Sequence, residues 1–246
     1  MVDLDKLSSS FKESFDESET IKDFGQFICD VESQPYRYCR NSAQYIKDVF
    51  DYYGFTCVTH ITGEKIKRWN IFDKFGPVYG QELAQNQIYS YLSSFSSNRI
   101  NKIILLHGPN GASKTSIIKA IMDAMESYSR IPEGAVFTFN WIFSDKGEKQ
   151  ESLGFSDAKT SYDPTTLAFT SPEDVTFKLV CATKDNPILL IPKAQRQSFL
   201  CHLGFDPQDK CNQHLFDGDL SQKSQEIFHQ LSVSYNGDWL QIMRHI

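Results

Sequence analysis

Gly108-Pro109-Asn110-Gly111-Ala112-Ser113-Lys114-Thr115 sets two glycines, a lysine and a threonine at the spacing of a phosphate-cradling loop. Glycines free the backbone to turn its N–H groups inward around phosphate oxygens. A helix that begins at the lysine adds the partial positive charge of its N-terminus. At that spacing Lys114 reaches the β- and γ-phosphates of ATP, and the Thr115 hydroxyl ligates Mg²⁺. The stricter pattern places glycine immediately before the lysine, where this chain has Ser113. If the loop needs a left-handed residue there, serine costs about 1 kcal/mol more than glycine. The competing reading is a plain glycine turn, with Lys114 a solvated residue on the first turn of a helix.

Such a loop works between a strand and a helix, and the neighbouring residues supply both patterns. Ile103-Ile104-Leu105-Leu106 comes before it as a short apolar run, and Ile118, Ile121, Met122 and Met125 follow at helical spacing. Upstream, Phe24, Phe27, Ile28 and Val31 predict a helix ending before Pro35. Ala43, Tyr45, Ile46, Val49, Phe50 and Tyr53 predict another, stopped by Gly54. Leu4, Leu7, Phe11 and Phe15 predict a helix or a loosely attached arm, and residues 55–72 predict short strands around Thr62-Gly63. Val78-Tyr79-Gly80-Gln81-Glu82 opens a helix carrying Leu83, Ile88, Tyr91 and Leu92.

Beyond the loop, Ala135 to Phe143, Phe177 to Cys181 and Pro187 to Ile191 predict strands. Residues 144–175 predict a long polar loop, and helices are expected near 193–202, around Ile227 and Leu231, and at Leu240, Ile242 and Met243. The fold expected is therefore α/β: a P-loop NTPase core with a parallel sheet over residues 61–246, preceded by an N-terminal helical region at residues 1–60.

A chain of 246 residues holds one large domain or two small ones, and its net charge of −6 argues against a general nucleic-acid surface. No apolar run reaches the length of a membrane span, and Met1-Val2-Asp3-Leu4-Asp5 is unlike a signal peptide. The 6 cysteines lack C-x-x-C spacing and read as reduced thiols, so a cytoplasmic location is expected. Cys201, His202, Cys211 and His214 are zinc-ligand types at no zinc spacing, and read as core and loop residues.

Several segments together resemble the AAA+ domain of the PrkA serine protein kinase family. They are Val78-Tyr79-Gly80-Gln81-Glu82, Arg40-Asn41-Ser42-Ala43-Gln44-Tyr45-Ile46, Leu106-His107-Gly108-Pro109-Asn110-Gly111 and Phe139-Asn140-Trp141-Ile142-Phe143. Asp185-Asn186-Pro187-Ile188-Leu189-Leu190-Ile191-Pro192 and Tyr235-Asn236-Gly237-Asp238-Trp239 complete the set, so the resemblance runs from about residue 22 to the last residue. It implies a bacterial cytoplasmic protein whose AAA+ core binds ATP and Mg²⁺, with Tyr79 and Gly80 at the adenine end. It also implies protein substrates, possible homo-oligomers through the AAA+ domain, and a further C-terminal region carrying serine kinase activity. Ser113 and Ser221 depart from it, standing where many members have glycine and cysteine.

Hydrolysis further requires a strand ending in acidic residues that hold Mg²⁺ and activate water. Phe143-Ser144-Asp145 offers one acid, and the run from Pro187 to Ile191 ends in Pro192-Lys193. The expectation is an N-terminal fragment that binds Mg·ATP with little turnover, with Asp145 and Asp185 the first carboxylates to test otherwise. A remodelling ATPase module and a nucleotide-sensing domain without hydrolysis remain open beside the kinase reading.

Overall fold

Local signals set the helix ends in the computed structural model, which describes residues 21–59, 63–96, 103–143 and 177–246. The helix expected at Leu4 to Phe15, the loop at 144–175 and Asp145 lie outside the described residues. The chain divides into two units: Met1–Pro35 with Phe137–Ile191 and Asp219–Ile246, and Tyr36–Val136 with Pro192–Gly218.

In the first unit, α1 (Phe24–Ser33) starts where the Asp23 carboxylate accepts the Gln26 N–H, and it buries Phe24, Phe27 and Val31. Strands β3 (Asn140–Phe143) and β4 (Phe177–Val180) pair antiparallel, Trp141 opposite Leu179. The far edge of β3 is closed by His245: the Ile142 N–H donates to its carbonyl at 2.7 Å, and its Nδ1 meets the Ile142 carbonyl at 2.8 Å. Two C-terminal helices, α9 (Gln222–Ser234) and α10 (Trp239–Met243), finish the unit. The Trp239 indole N–H donates to the Leu190 carbonyl at 3.0 Å, and its ring meets Phe24 edge-on at 5.6 Å.

The second unit holds the loop. Between α2 (Pro35–Cys39) and α3 (Ser42–Tyr53), Asn41 and Gln44 form a reciprocal capping box. An antiparallel hairpin of β1 (Phe55–Thr59) and β2 (Lys65–Trp69) follows, then α4 (Ile71–Lys74) and α5 (Glu82–Ser96). The core gathers Val49, Phe50, Trp69, Phe72, Ile88 and Leu92 around α6 (Lys114–Ser129), which contributes Ile117, Ala120, Ala124 and Tyr128. Helices α7 (Lys193–His202) and α8 (Gln213–Phe216) complete the unit.

The expected parallel α/β sheet is overturned. The described residues are mostly helical, and their strands form two sheets of two antiparallel strands each. The P-loop NTPase (AAA+) core with a parallel sheet is thus not the fold observed. Three apolar runs account for the difference. Ile103 to Leu106 forms no ladder: Ile104 and Leu106 pack on the core while Ile103 and Leu105 stay 85% and 84% exposed. Of Ala135 to Phe143, only Asn140–Phe143 is strand. Pro187–Leu190 is a 3-10 turn, because Asn186 caps the Ile188 N–H and Pro187 offers no N–H to a ladder.

Just beyond α6 the backbone crowds itself at Gly134. This buried residue ends the 3-10 turn Pro132–Gly134, and its carbonyl accepts the Tyr45 hydroxyl at 3.0 Å. A Cβ there would lie 1.9 Å from the Tyr128 carbonyl oxygen, a backbone atom with no room to retreat. Gly134→Ala should therefore destabilise the protein by about 3 kcal/mol, read from the urea midpoint. An unchanged midpoint would show that this approach is not a constraint.

Candidate functional site

The segment Gly108–Ser113 runs straight into α6, and its own backbone closes it. Gly111 takes φ +82, a conformation glycine adopts without a side-chain penalty, and the Ala112 N–H donates to the Pro109 carbonyl at 3.3 Å. Ser113 is the residue before the helix, and it is left-handed at φ 57 and ψ 15 with no side-chain cap bond. Asn110, Gly111 and Thr115 are exposed, while Gly108, Ala112, Ser113 and Lys114 are half-buried.

Lys114 folds back over the turn. Its ammonium donates to the carbonyls of Gly108 and Pro109, both at 2.6 Å, so a positive charge sits within the loop. The first helical bond at this end runs from the Ile117 N–H to the Ser113 carbonyl at 2.9 Å. Among the described residues, the N–H groups of Ser113, Lys114, Thr115 and Ser116 donate to nothing. Free donors at the positive end of a 16-residue helix, beside an ammonium, form an anion-binding arrangement, with the exposed Thr115 hydroxyl on its first turn.

Tyr79 and Gly80 lie on a second turn of the same unit. Gly80 has φ +73 and its N–H meets Glu82 Oε1 at 3.4 Å. Tyr79 is 67% exposed, with the Arg68 guanidinium 4.8 Å from its ring centre. A few residues earlier Gly76 packs on α6, where an added Cβ would come 3.9 Å from the Ala120 Cβ. Val78, immediately before Tyr79, is buried in the same core as Ile117, Ala120 and Ala124 of α6.

The other chemistry-bearing residues are structurally engaged. Asp185 Oδ2 accepts the Ser221 N–H at 2.8 Å where α9 begins, and Oδ1 accepts the Thr183 hydroxyl at 2.7 Å. Burial opposes its ionisation, but these hydrogen bonds outweigh it and hold its pKa below the ordinary 3.8. Burial alone pushes the Cys39 thiol up to about 12, which removes it as a nucleophile at neutral pH. The Cys211 thiol donates to the Ser96 carbonyl at 3.2 Å, and no group of three or more His, Cys, Asp or Glu among the described residues could hold a metal. No helix among them is long and apolar enough to cross a membrane.

The sequence reads Arg68 only as part of a short basic cluster with Lys65 and Lys67 on a solvated face, not as the partner of the Tyr79 ring, and it gives no role to Gln85, which is fully buried on α5. The signal for Gln85 was present: it falls in register with Ile88, Leu92 and Phe95, where an apolar residue is the default. In comparisons with protein families, curated proteins and solved structures, the chain matches none.

Two outcomes follow from this geometry. Ser113→Gly removes a left-handed serine worth about 1 kcal/mol of strain, so the melting temperature should rise by roughly 2–4 °C; no rise would mean that the conformation costs nothing. Asp185 is held below its unfolded pKa, so its contribution is complete above that value and is lost as pH falls through the folded one. Asp185→Asn should therefore flatten the acid limb of the stability–pH curve, while an identical limb would place the acid sensitivity elsewhere.

Proposed function

We propose that this chain binds Mg·ATP through Gly108–Thr115, as the ATP-binding part of a bacterial serine protein kinase similar to PrkA. One observation carries the reading: four backbone N–H groups without a partner among the described residues, together with the Lys114 ammonium, lie where a glycine loop enters α6. A triphosphate would take the N–H donors directly. Lys114 would exchange its two uncharged carbonyl acceptors for anionic β- and γ-phosphate oxygens, turning bonds from a cation to neutral acceptors into ion pairs. Mg²⁺ would offset phosphate charge, and the Thr115 hydroxyl, which is exposed, would be the protein oxygen to hold it. Tyr79 and Gly80 would take the adenine end, Tyr79 offering an exposed aromatic ring. Protein substrates, and self-association as a homo-oligomer, belong to the same proposal.

The test is nucleotide titration beside phosphate release. Wild type should bind Mg·ATP, and a hundredfold excess over Kd should stabilise it by about 2.7 kcal/mol. Lys114→Ala should lose most of that affinity and remain folded, because the side chain bonds the loop and not the core. Equal affinity in the two proteins sinks the assignment. Little phosphate release is expected, since no run in the sequence ends in paired acids. Brisk turnover abolished by Lys114→Ala would instead place a catalytic carboxylate in this chain.

A further inference from the structure

Gln85 breaks the pattern of its helix. The buried face of α5 reads Gln85, Ile88, Leu92, Phe95, and only the first is polar. Its side chain is 0% exposed. The Nε2 amide donates to the Val78 carbonyl at 3.3 Å. Only the NH₂ side of an amide can bond to a carbonyl, so the orientation is forced. Oε1 then faces the interior, and it has no hydrogen-bond partner among the described residues. A buried acceptor in that state costs about 1–3 kcal/mol, which leucine or methionine would avoid.

What this arrangement secures is Val78. Its N–H donates to the Phe72 carbonyl at 3.1 Å, its carbonyl is held by Gln85, and its side chain is buried in the core. Val78 is thus fastened at three points, and the next two residues are the exposed Tyr79 and the left-handed Gly80. On the hairpin side, Arg68 pairs with Asp73 and lies over the Tyr79 ring. The turn is fixed from beneath by Gln85 and on one ring face by Arg68.

We propose that Gln85 is a positioning residue for the base end of the nucleotide, holding the Val78 carbonyl so that Tyr79 and Gly80 keep their place in the turn. This rests on the reading of Gly108–Thr115 as a nucleotide loop. Gln85 touches no ligand itself and acts through the turn. Its loss changes recognition of the base and leaves recognition of the phosphates alone.

The experiment compares Mg·ATP with Mg·tripolyphosphate, which has the phosphates and no base, on the full chain. Gln85→Met keeps the volume and removes the donor. It should weaken ATP about tenfold and leave tripolyphosphate within twofold of wild type, a selectivity that general damage to the fold does not produce. Tyr79→Ala, at an exposed position, should show the same selective loss and covers the case in which Gln85→Met does not fold. ATP affinity unchanged in both variants, or ATP and tripolyphosphate falling together, overturns the proposal. Wild type binding neither ligand overturns the loop reading beneath it, so the two failures are told apart.

Discussion

Burial of Ile117, Ala120, Ala124 and Tyr128 orients α6, and everything at its first turn inherits that orientation. Two of the four are alanines with no exposed surface, which let neighbouring backbone approach closely; Gly76 does so at Ala120. The C-terminal end is fixed as tightly, because Gly134 lies against the Tyr128 carbonyl and accepts the Tyr45 hydroxyl. A helix held at its middle and end keeps its first turn at the loop, and the N–H groups there, unpaired among the described residues, carry the positive end of its dipole.

The loop meets that constraint from the other side. Its ammonium is satisfied by the Gly108 and Pro109 carbonyls, while the first-turn N–H groups have no acceptor among the described residues. The left-handed Ser113 is what turns the chain from loop to helix at this point, and a serine accepts that conformation only because the flanking structure imposes it. Strain and unmet donors thus fall on consecutive residues.

Helices were the legible part of the sequence because their signals are local. Asp23, the Asn41–Gln44 box and Pro35 each act within a turn of the helix end they define, and the observed helices begin and end beside them. Strands depend on partners that can be distant in sequence: the local hairpin within 55–72 and the strand at Phe177 were legible, and the parallel sheet was not observed. Ile103 to Leu106 has the composition of a buried parallel strand, yet one face is open and no ladder forms on it among the described residues. Pro187 to Ile191 is equally apolar, but Asn186 and Pro187 decide its conformation first. The glycine loop could be located from residue spacing alone. That Lys114 bonds the loop carbonyls, and that Arg68 covers Tyr79, are tertiary facts with no signature in spacing.

Departures from local rules are unevenly spread in the second unit. A left-handed serine opens α6, a fully buried glutamine interrupts the apolar face of α5, and Ile103 and Leu105 lie in water just ahead of the loop. Each costs stability that a more ordinary residue would restore, and each touches either the loop or the turn that carries Tyr79. A sequence shaped by packing alone would place glycine at 113, an aliphatic residue at 85 and polar residues at 103 and 105. Two of these departures have visible local work: Gln85 holds the Val78 carbonyl, and Ser113 turns the chain from the loop into α6, so local packing preference is overridden where the backbone itself must be set.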